Sequence, residues 1–172
     1  PQAPVSELEI LRGSVVDADA EAIVNAANSH LAHAGGLARA IAQAAGPELQ
    51  RACDAIAEVP TGTAVATTAG RLRARWVIHA VGPIWSGGDA GEPELLAGAY
   101  RSAIEVAAQI GARSIAFPSL STGIFGYPLE LAAPIAVASV RTAWAQHAGR
   151  IDAIAFHLFT EREYEAFSAA AA

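Results

Sequence analysis

Lysine is absent from the 172 residues: all eleven basic side chains are arginine. Chemistry that depends on lysine, including Schiff bases and the P-loop lysine, is therefore excluded. Cysteine is nearly absent too. The single Cys53 rules out an internal disulfide and any multi-cysteine metal site. Its helical surroundings, Glu48-Leu49-Gln50-Arg51-Ala52-Cys53, suit a buried structural thiol, and neither a metal nor a cofactor is expected. Charge is scarce, at 16% of residues with a net charge of −6, which argues against a general nucleic-acid binder with its basic patch. An anionic ligand would have to be held by backbone dipoles and neutral side chains. Long apolar runs are missing as well. None approaches membrane-spanning length and no signal peptide precedes the first strand, so a cytoplasmic protein without a membrane partner is expected.

What is abundant is apolar character, 53% of residues, nearly half of it alanine, scattered through helical patterns. That composition and length suit one domain over 1–172 with a substantial core, flexible ends at 1–5 and 168–172, and a monomeric state. The chain is organised around Ala22 to Ala45. A short apolar strand, Ala22-Ile23-Val24, runs into Asn25-Ala26-Ala27-Asn28. The small-residue loop His33-Ala34-Gly35-Gly36 follows, then a helix with Leu37, Ile41 and Ala45 on one face. Strand, glycine loop and helix make a phosphate-binding device, because unpaired N–H groups and the helix dipole face an anion that glycine lets approach. The asparagines carry donors and an acceptor to a ligand rich in hydroxyls and carbonyls, or they tie down the loop backbone; for Asn25 both readings stand.

Elsewhere, Leu8 to Leu11, Thr63 to Thr68, Trp76 to Val81, Ser114 to Pro118 and Ile151 to Phe159 read as strands. Helices are expected from Pro47, from Pro93 to Ile110, up to about His147, and from Glu161 to Phe167 before an alanine tail. His79, inside an apolar strand, reads as a satisfied core histidine before a catalytic one. Alternating strands and helices predict an α/β sandwich with helices on both faces of a mainly parallel sheet, whose ligands bind at the carboxyl ends of strands. Two such ends carry unusual loops leading into helices, Asn25 to Gly36 and Ser119 to Tyr127. Two facing helix N-termini would grip a pyrophosphate. Ile124 and Phe125, large and apolar in the second loop, either plug the core or cover the ligand.

Val24-Asn25-Ala26-Ala27-Asn28, Gly35-Gly36, Ala44-Ala45-Gly46-Pro47, Pro60-Thr61-Gly62, Val77-Ile78-His79-Ala80-Val81-Gly82-Pro83 and Ser121-Thr122-Gly123-Ile124-Phe125-Gly126-Tyr127-Pro128 together resemble the macrodomain family. The match runs in order from about Leu8 to Phe167. The resemblance implies a three-layer α/β/α sandwich with a central mixed, mainly parallel sheet. It also implies a module that binds ADP-ribose and ADP-ribosylated proteins, often hydrolysing ADP-ribosyl esters or deacetylating O-acetyl-ADP-ribose. On that resemblance Asn28 would contact the distal ribose, and Gly35 and Gly36, followed by Leu37, would meet the diphosphate. Ser121, Thr122, Gly123, Ile124, Phe125 and Gly126 would form the opposite wall, with Phe125 beside the distal ribose. Phe159 would lie against adenine near Ser14 and Val15, and Asn25 joins the ligand-binding set. Asn28, His33 and Phe125 are the candidate catalytic residues, with His33 a loop organiser more than a general base.

Two departures from the family pattern bear on function. Gly13-Ser14-Val15 stands where members usually carry Gly-Asp-Ile, so a neutral hydroxyl replaces an ionised acceptor about twice as strong. Ala38 stands where MacroD-type hydrolases carry an aspartate that helps activate water; the loop with His33 ahead of it is closer to the viral macrodomains, several of which act without it. Intact Asn28, His33 and Gly123 to Gly126 favour a hydrolase. Ala38 and Ser14 favour a non-catalytic reader of ADP-ribose. A small-molecule or RNA-binding role is a third reading, and the acidic charge weighs against RNA.

Overall fold

The computed structural model describes residues 7–33 and 35–172, so the loose end expected at 1–5 lies outside the described residues. The described residues form six strands, β1 (Glu9–Arg12), β2 (Ala22–Ala27), β3 (Ala64–Thr68), β4 (Trp76–Val81), β5 (Ser114–Phe117) and β6 (Ala153–Leu158). Five α-helices accompany them: α1 (Gly36–Ala45), α2 (Pro47–Asp54), α3 (Glu92–Ile110), α4 (Leu129–Gln146) and α5 (Glu161–Ala171). The strands make one sheet in the order β1-β6-β5-β2-β4-β3. All neighbours are parallel except β3 with β4.

Side chains alternate across a strand, so a sheet covered on both faces needs apolar residues in both registers. On β2, Ala22 and Val24 join a core with Tyr100, Phe117, Val137, Phe156 and Phe167. Ile23 and Ala27 point the other way, to Ile41 of α1 and Leu49 and Cys53 of α2. Helices α3, α4 and α5 thus cover one face and α1 and α2 the other, which makes three layers. The first core is stitched by tilted aromatic pairs, with centroids 5.6 Å apart for Tyr100–Phe117 and 4.9 Å for Phe156–Phe167. No described helix is long and apolar enough to cross a membrane.

Two loops are held by buried polar groups. Glu92, 1% exposed at the start of α3, accepts backbone N–H groups from Ser86 at 2.8 Å, Gly88 at 2.9 Å and Ala90 at 2.7 Å. Those donors, that of Gly88 foremost, pull its carboxyl down to about 2, so the glycine-rich loop is tied to a carboxylate at any ordinary pH. Tyr100, fully buried, accepts the Leu120 N–H at 2.8 Å and so anchors the start of the loop after β5. Tyr100→Phe should orphan that donor and cost about 1–3 kcal/mol. Thermal melts should show a fall of roughly 2–4 °C for each kcal/mol lost; an unchanged Tm would mean the bond contributes nothing.

Leu37, Ile41 and Ala45 share the face of α1 that meets the second core, as expected, with Ala38 beside them and Leu37 partly covered. Two expectations are corrected. Strand β2 runs to Ala27, so Asn25 lies inside the sheet and not at its mouth. Residues 168–171 belong to α5, where the Arg141 guanidinium donates to the Ala171 carbonyl at 2.8 Å; alanine is the best helix former, and it continues the helix.

Candidate ligand-binding cleft

Strand β2 pairs with β4 over all six residues but with β5 only at Ala22 and Ile23. Beyond that point β2 and β5 part. The helix after β2 packs on one face of the sheet and the helix after β5 on the other. This is the switch in connection that opens a crevice at the carboxyl ends of parallel strands. Here it is a cleft of about 1100 Å³.

Both helices that flank the crevice begin without a side-chain cap, α1 at Gly35 and α4 at Pro128. Their first N–H groups and the positive ends of their dipoles are left for a ligand. The glycines there are informative. A Cβ added to Gly35, Gly36 or Gly123 meets no protein atom within 4 Å. Only Gly36, at φ +58°, has a backbone that calls for glycine. At Gly35 and Gly123 nothing in the protein excludes a side chain, so the space they leave open belongs to the cleft. Across it, the Phe125 carbonyl accepts the Trp85 N–H at 2.8 Å and the Ser121 carbonyl accepts the Tyr127 N–H at 2.9 Å. Ser121 bends this loop with a left-handed φ of +68°, a conformation that costs a non-glycine residue about 1–3 kcal/mol.

Of the residues expected in the site, Ser14, Val15, Asn28, Gly35, Gly36, Leu37, Ser121, Thr122, Gly123, Ile124, Phe125, Gly126 and Phe159 line this cleft. Ile124 is fully exposed and Phe125 is partly exposed, so neither plugs the core; Phe159 is 74% exposed. The Ser14 hydroxyl accepts the Val16 N–H at 3.2 Å and caps the 3-10 turn Val15–Asp17. Asn28 organises the first loop. Its Oδ1 accepts from His30 N at 3.2 Å and Ala32 N at 3.0 Å, while its Nδ2 donates to the Ala32 carbonyl at 3.2 Å. Ala38, at the position of the family aspartate, lines the cleft and is 9% exposed.

Asn25 and His33 are not brought into the cleft. Fully buried Asn25 turns to the α1–α2 face and meets His79 Nδ1 at 3.1 Å. His79 in turn lies 2.9 Å from Thr67 Oγ1. Burial first, then the neighbouring His33, lowers His79 to about 3, so it is a neutral core histidine, as its apolar run suggests. His33 points to α2, with Nδ1 3.0 Å from Gln50 Oε1, and is no candidate base for chemistry in the cleft. Cys53 is 2% exposed, and burial, helped by Asp54, pushes its thiol up to about 11.

The cleft also takes in residues that sequence reasoning left out, notably Gly82, His157, Thr160 and Arg162. His157 was legible: it alternates with buried Phe156 and Leu158 at the carboxyl end of β6. Gly82 is explained only in three dimensions, since a Cβ there would collide with Ser121 Oγ. Arg162, the arginine lining the cleft, makes an exposed ion pair with Glu130 at 3.1 Å, and Arg12 pairs with Glu161 at 2.7 Å and donates to the Phe159 carbonyl at 3.1 Å.

Known proteins share this sequence and shape. The Macro domain model matches residues 24–136. A macro domain-containing protein of Cupriavidus necator is 48% identical over 93% of this chain and 94% of its own length. Another, from Caldanaerobacter subterraneus subsp. tengcongensis, is 44% identical over 95% of each. A solved macrodomain of Oceanobacillus iheyensis with ADP superposes with a TM-score of 0.89 at 37% identity, covering 99% of this chain and 92% of that one. The Trypanosoma brucei macrodomain in complex with ADP-ribose gives 0.90 at 37% identity, over 96% of this chain and 69% of that one. From its splayed β2–β5 crevice to its two glycine loops, the chain belongs to the macrodomain family.

Proposed function

We propose that the cleft binds ADP-ribose, free or attached to proteins, and hydrolyses mono-ADP-ribosyl esters on acidic side chains or deacetylates O-acetyl-ADP-ribose. The observation that carries the binding is the pair of uncapped helix N-termini, α1 and α4, opposed across the crevice with open glycines at Gly35 and Gly123. Two linked phosphates satisfy both ends at once. The base then lies toward β1 and β6, against Phe159 and near Ser14 and Val15. The distal ribose lies toward Asn28 and Phe125. Related macrodomains solved with ADP and with ADP-ribose support this class of ligand. A monomer acting in the cytoplasm is the form proposed.

The second reading, a reader without turnover, is favoured by Ala38, since no carboxylate stands at that wall of the cleft. Calorimetry should give a dissociation constant on the order of micromolar for ADP-ribose, roughly 8 kcal/mol, and far weaker binding of AMP, which leaves one helix terminus unmet. No heat with ADP-ribose, or equal affinity for AMP, would sink the assignment. Loss of label from an auto-modified ADP-ribosyltransferase separates hydrolase from reader.

A further inference from the structure

Behind the glycine loop, on the α1–α2 face of the sheet, three side chains from separate segments converge. Cys53 Sγ in α2 lies 3.7 Å from His79 Nε2 on β4 and 3.9 Å from His33 Nε2 in the β2–α1 loop. The three donor atoms are within 4.8 Å of one another. The imidazoles meet edge-on, with centroids 5.9 Å apart. In tetrahedral zinc, bonds of about 2.0–2.1 Å to nitrogen and 2.3 Å to sulfur put neighbouring ligand atoms roughly 3.4–3.6 Å apart. The sulfur edges of the cluster are within a few tenths of an ångström of that spacing. His33, only half-buried, is the ligand with room to close it.

What stands behind each ring matters as much. Gln50 Oε1 can only accept, so the 3.0 Å contact puts the proton of His33 on Nδ1 and leaves the Nε2 lone pair facing Cys53. Gln50 is itself fixed, its Nε2 donating to Asp54 Oδ1 at 2.8 Å. His79 likewise carries a carboxamide on Nδ1, that of Asn25 at 3.1 Å. The contact is made by Asn25 Nδ2, and Asn25 Oδ1 is left buried without a partner. A half-turn of the carboxamide brings that orphaned oxygen to the ring, where it accepts Nδ1–H and frees Nε2. Thr67, which meets that nitrogen at 2.9 Å, keeps the Thr68 carbonyl as its partner at 3.1 Å. Metal-bound histidines characteristically have their second nitrogen held by such an acceptor.

We propose that His33 Nε2, Cys53 Sγ and His79 Nε2 form a binding site for Zn²⁺ or a similar borderline-soft divalent ion. Two imidazoles and one thiolate suit such ions and not Mg²⁺ or Ca²⁺, which take oxygen. On uptake the Cys53 S–H bond breaks, its proton leaves to solvent and a sulfur–metal bond forms; nothing is oxidised or reduced. The site lies outside the cleft and does not rest on the function proposed above. Its ion braces His33, and with it the entry to Gly35 and Gly36.

The test is titration of the chelator-treated full chain with Co²⁺, followed by competition with Zn²⁺. One equivalent should bind with thiolate-to-cobalt charge-transfer absorption, displaced by Zn²⁺ and absent in Cys53→Ala. His33→Ala, at a half-buried position that tolerates truncation, should bind at least about tenfold more weakly. Gln50→Ala should lose about 10–100-fold, as expected when an orienting partner is removed. Absence of the thiolate band in the parent, or undiminished affinity in His33→Ala, overturns the site; cobalt bound without that band sits on surface histidines and overturns it equally.

Discussion

Gly123→Glu should leave the protein folded and remove ADP-ribose binding. The backbone at 123 is outside the left-handed region, and a Cβ there meets nothing within 4 Å. The fold therefore has no objection to the side chain. A ligand phosphate does. A carboxylate about 4 Å from one phosphate charge is repelled by about 4 kcal/mol at the effective dielectric of a protein surface. Against a total near 8 kcal/mol, that alone lowers affinity about a thousandfold, before the lost volume is counted. Gly36→Glu brings the same charge but also forces a left-handed φ of +58° on a residue with a Cβ, at about 1–2 kcal/mol of fold stability. Gly123 is thus the cleaner variant. Calorimetry together with circular dichroism decides it: a folded Gly123→Glu that binds within tenfold of the parent would show that the phosphates are not held there.

Asn28→Ala should reduce turnover by about two to three orders of magnitude, the size expected when a positioning contact on the reacting end is lost. ADP-ribose affinity should fall by no more than about tenfold, because the diphosphate and base contacts lie elsewhere in the cleft. Asn28 also accepts two loop N–H groups and donates to the Ala32 carbonyl. Asn28→Asp keeps the two acceptor contacts but loses the donation to the Ala32 carbonyl. Turnover should stay flat between about pH 6.5 and 8, where an unperturbed histidine base would titrate. His79 is held neutral in the core, down to about 3, and His33 faces α2. The cleft's own histidine, His157, sits at the β6 end and is lowered mainly by burial. A steep change near pH 6.5 that disappears in His33→Ala would make His33 the base; undiminished turnover in Asn28→Ala would place the chemistry elsewhere.

The layers and the two loops were legible because their signals are local. Apolar strands ended by Gly-Pro or Pro-Ser pairs, and helices opened at proline and stopped at glycine, declare themselves within a few residues. Asn25 was misread because its partner is not local. His79 stands directly opposite it in the β2–β4 register, 54 residues away, and that pairing turns a ligand-like asparagine into a core one. His33, expected as a loop organiser more than a base, does turn from the cleft, but the partner that turns it, Gln50 on α2, is seventeen residues away and gives no local signal. His157 was missed although strand alternation exposes it, because the aromatic Phe159 two residues on drew the reading.

Strand β1 has a single neighbour in the sheet, β6. During synthesis β2, β3, β4 and β5 can assemble as they emerge, but Glu9 to Arg12 must wait, edge unpaired, for residues 153–158. Such long-range parallel pairing is slow, since loop closure precedes any reward. The end of the cleft formed by Ser14, Val15, His157 and Phe159 is therefore the last part to exist. If the cleft is occupied as proposed, a nascent or truncated chain has the proposed phosphate end before the proposed base end, and only the finished polypeptide holds both.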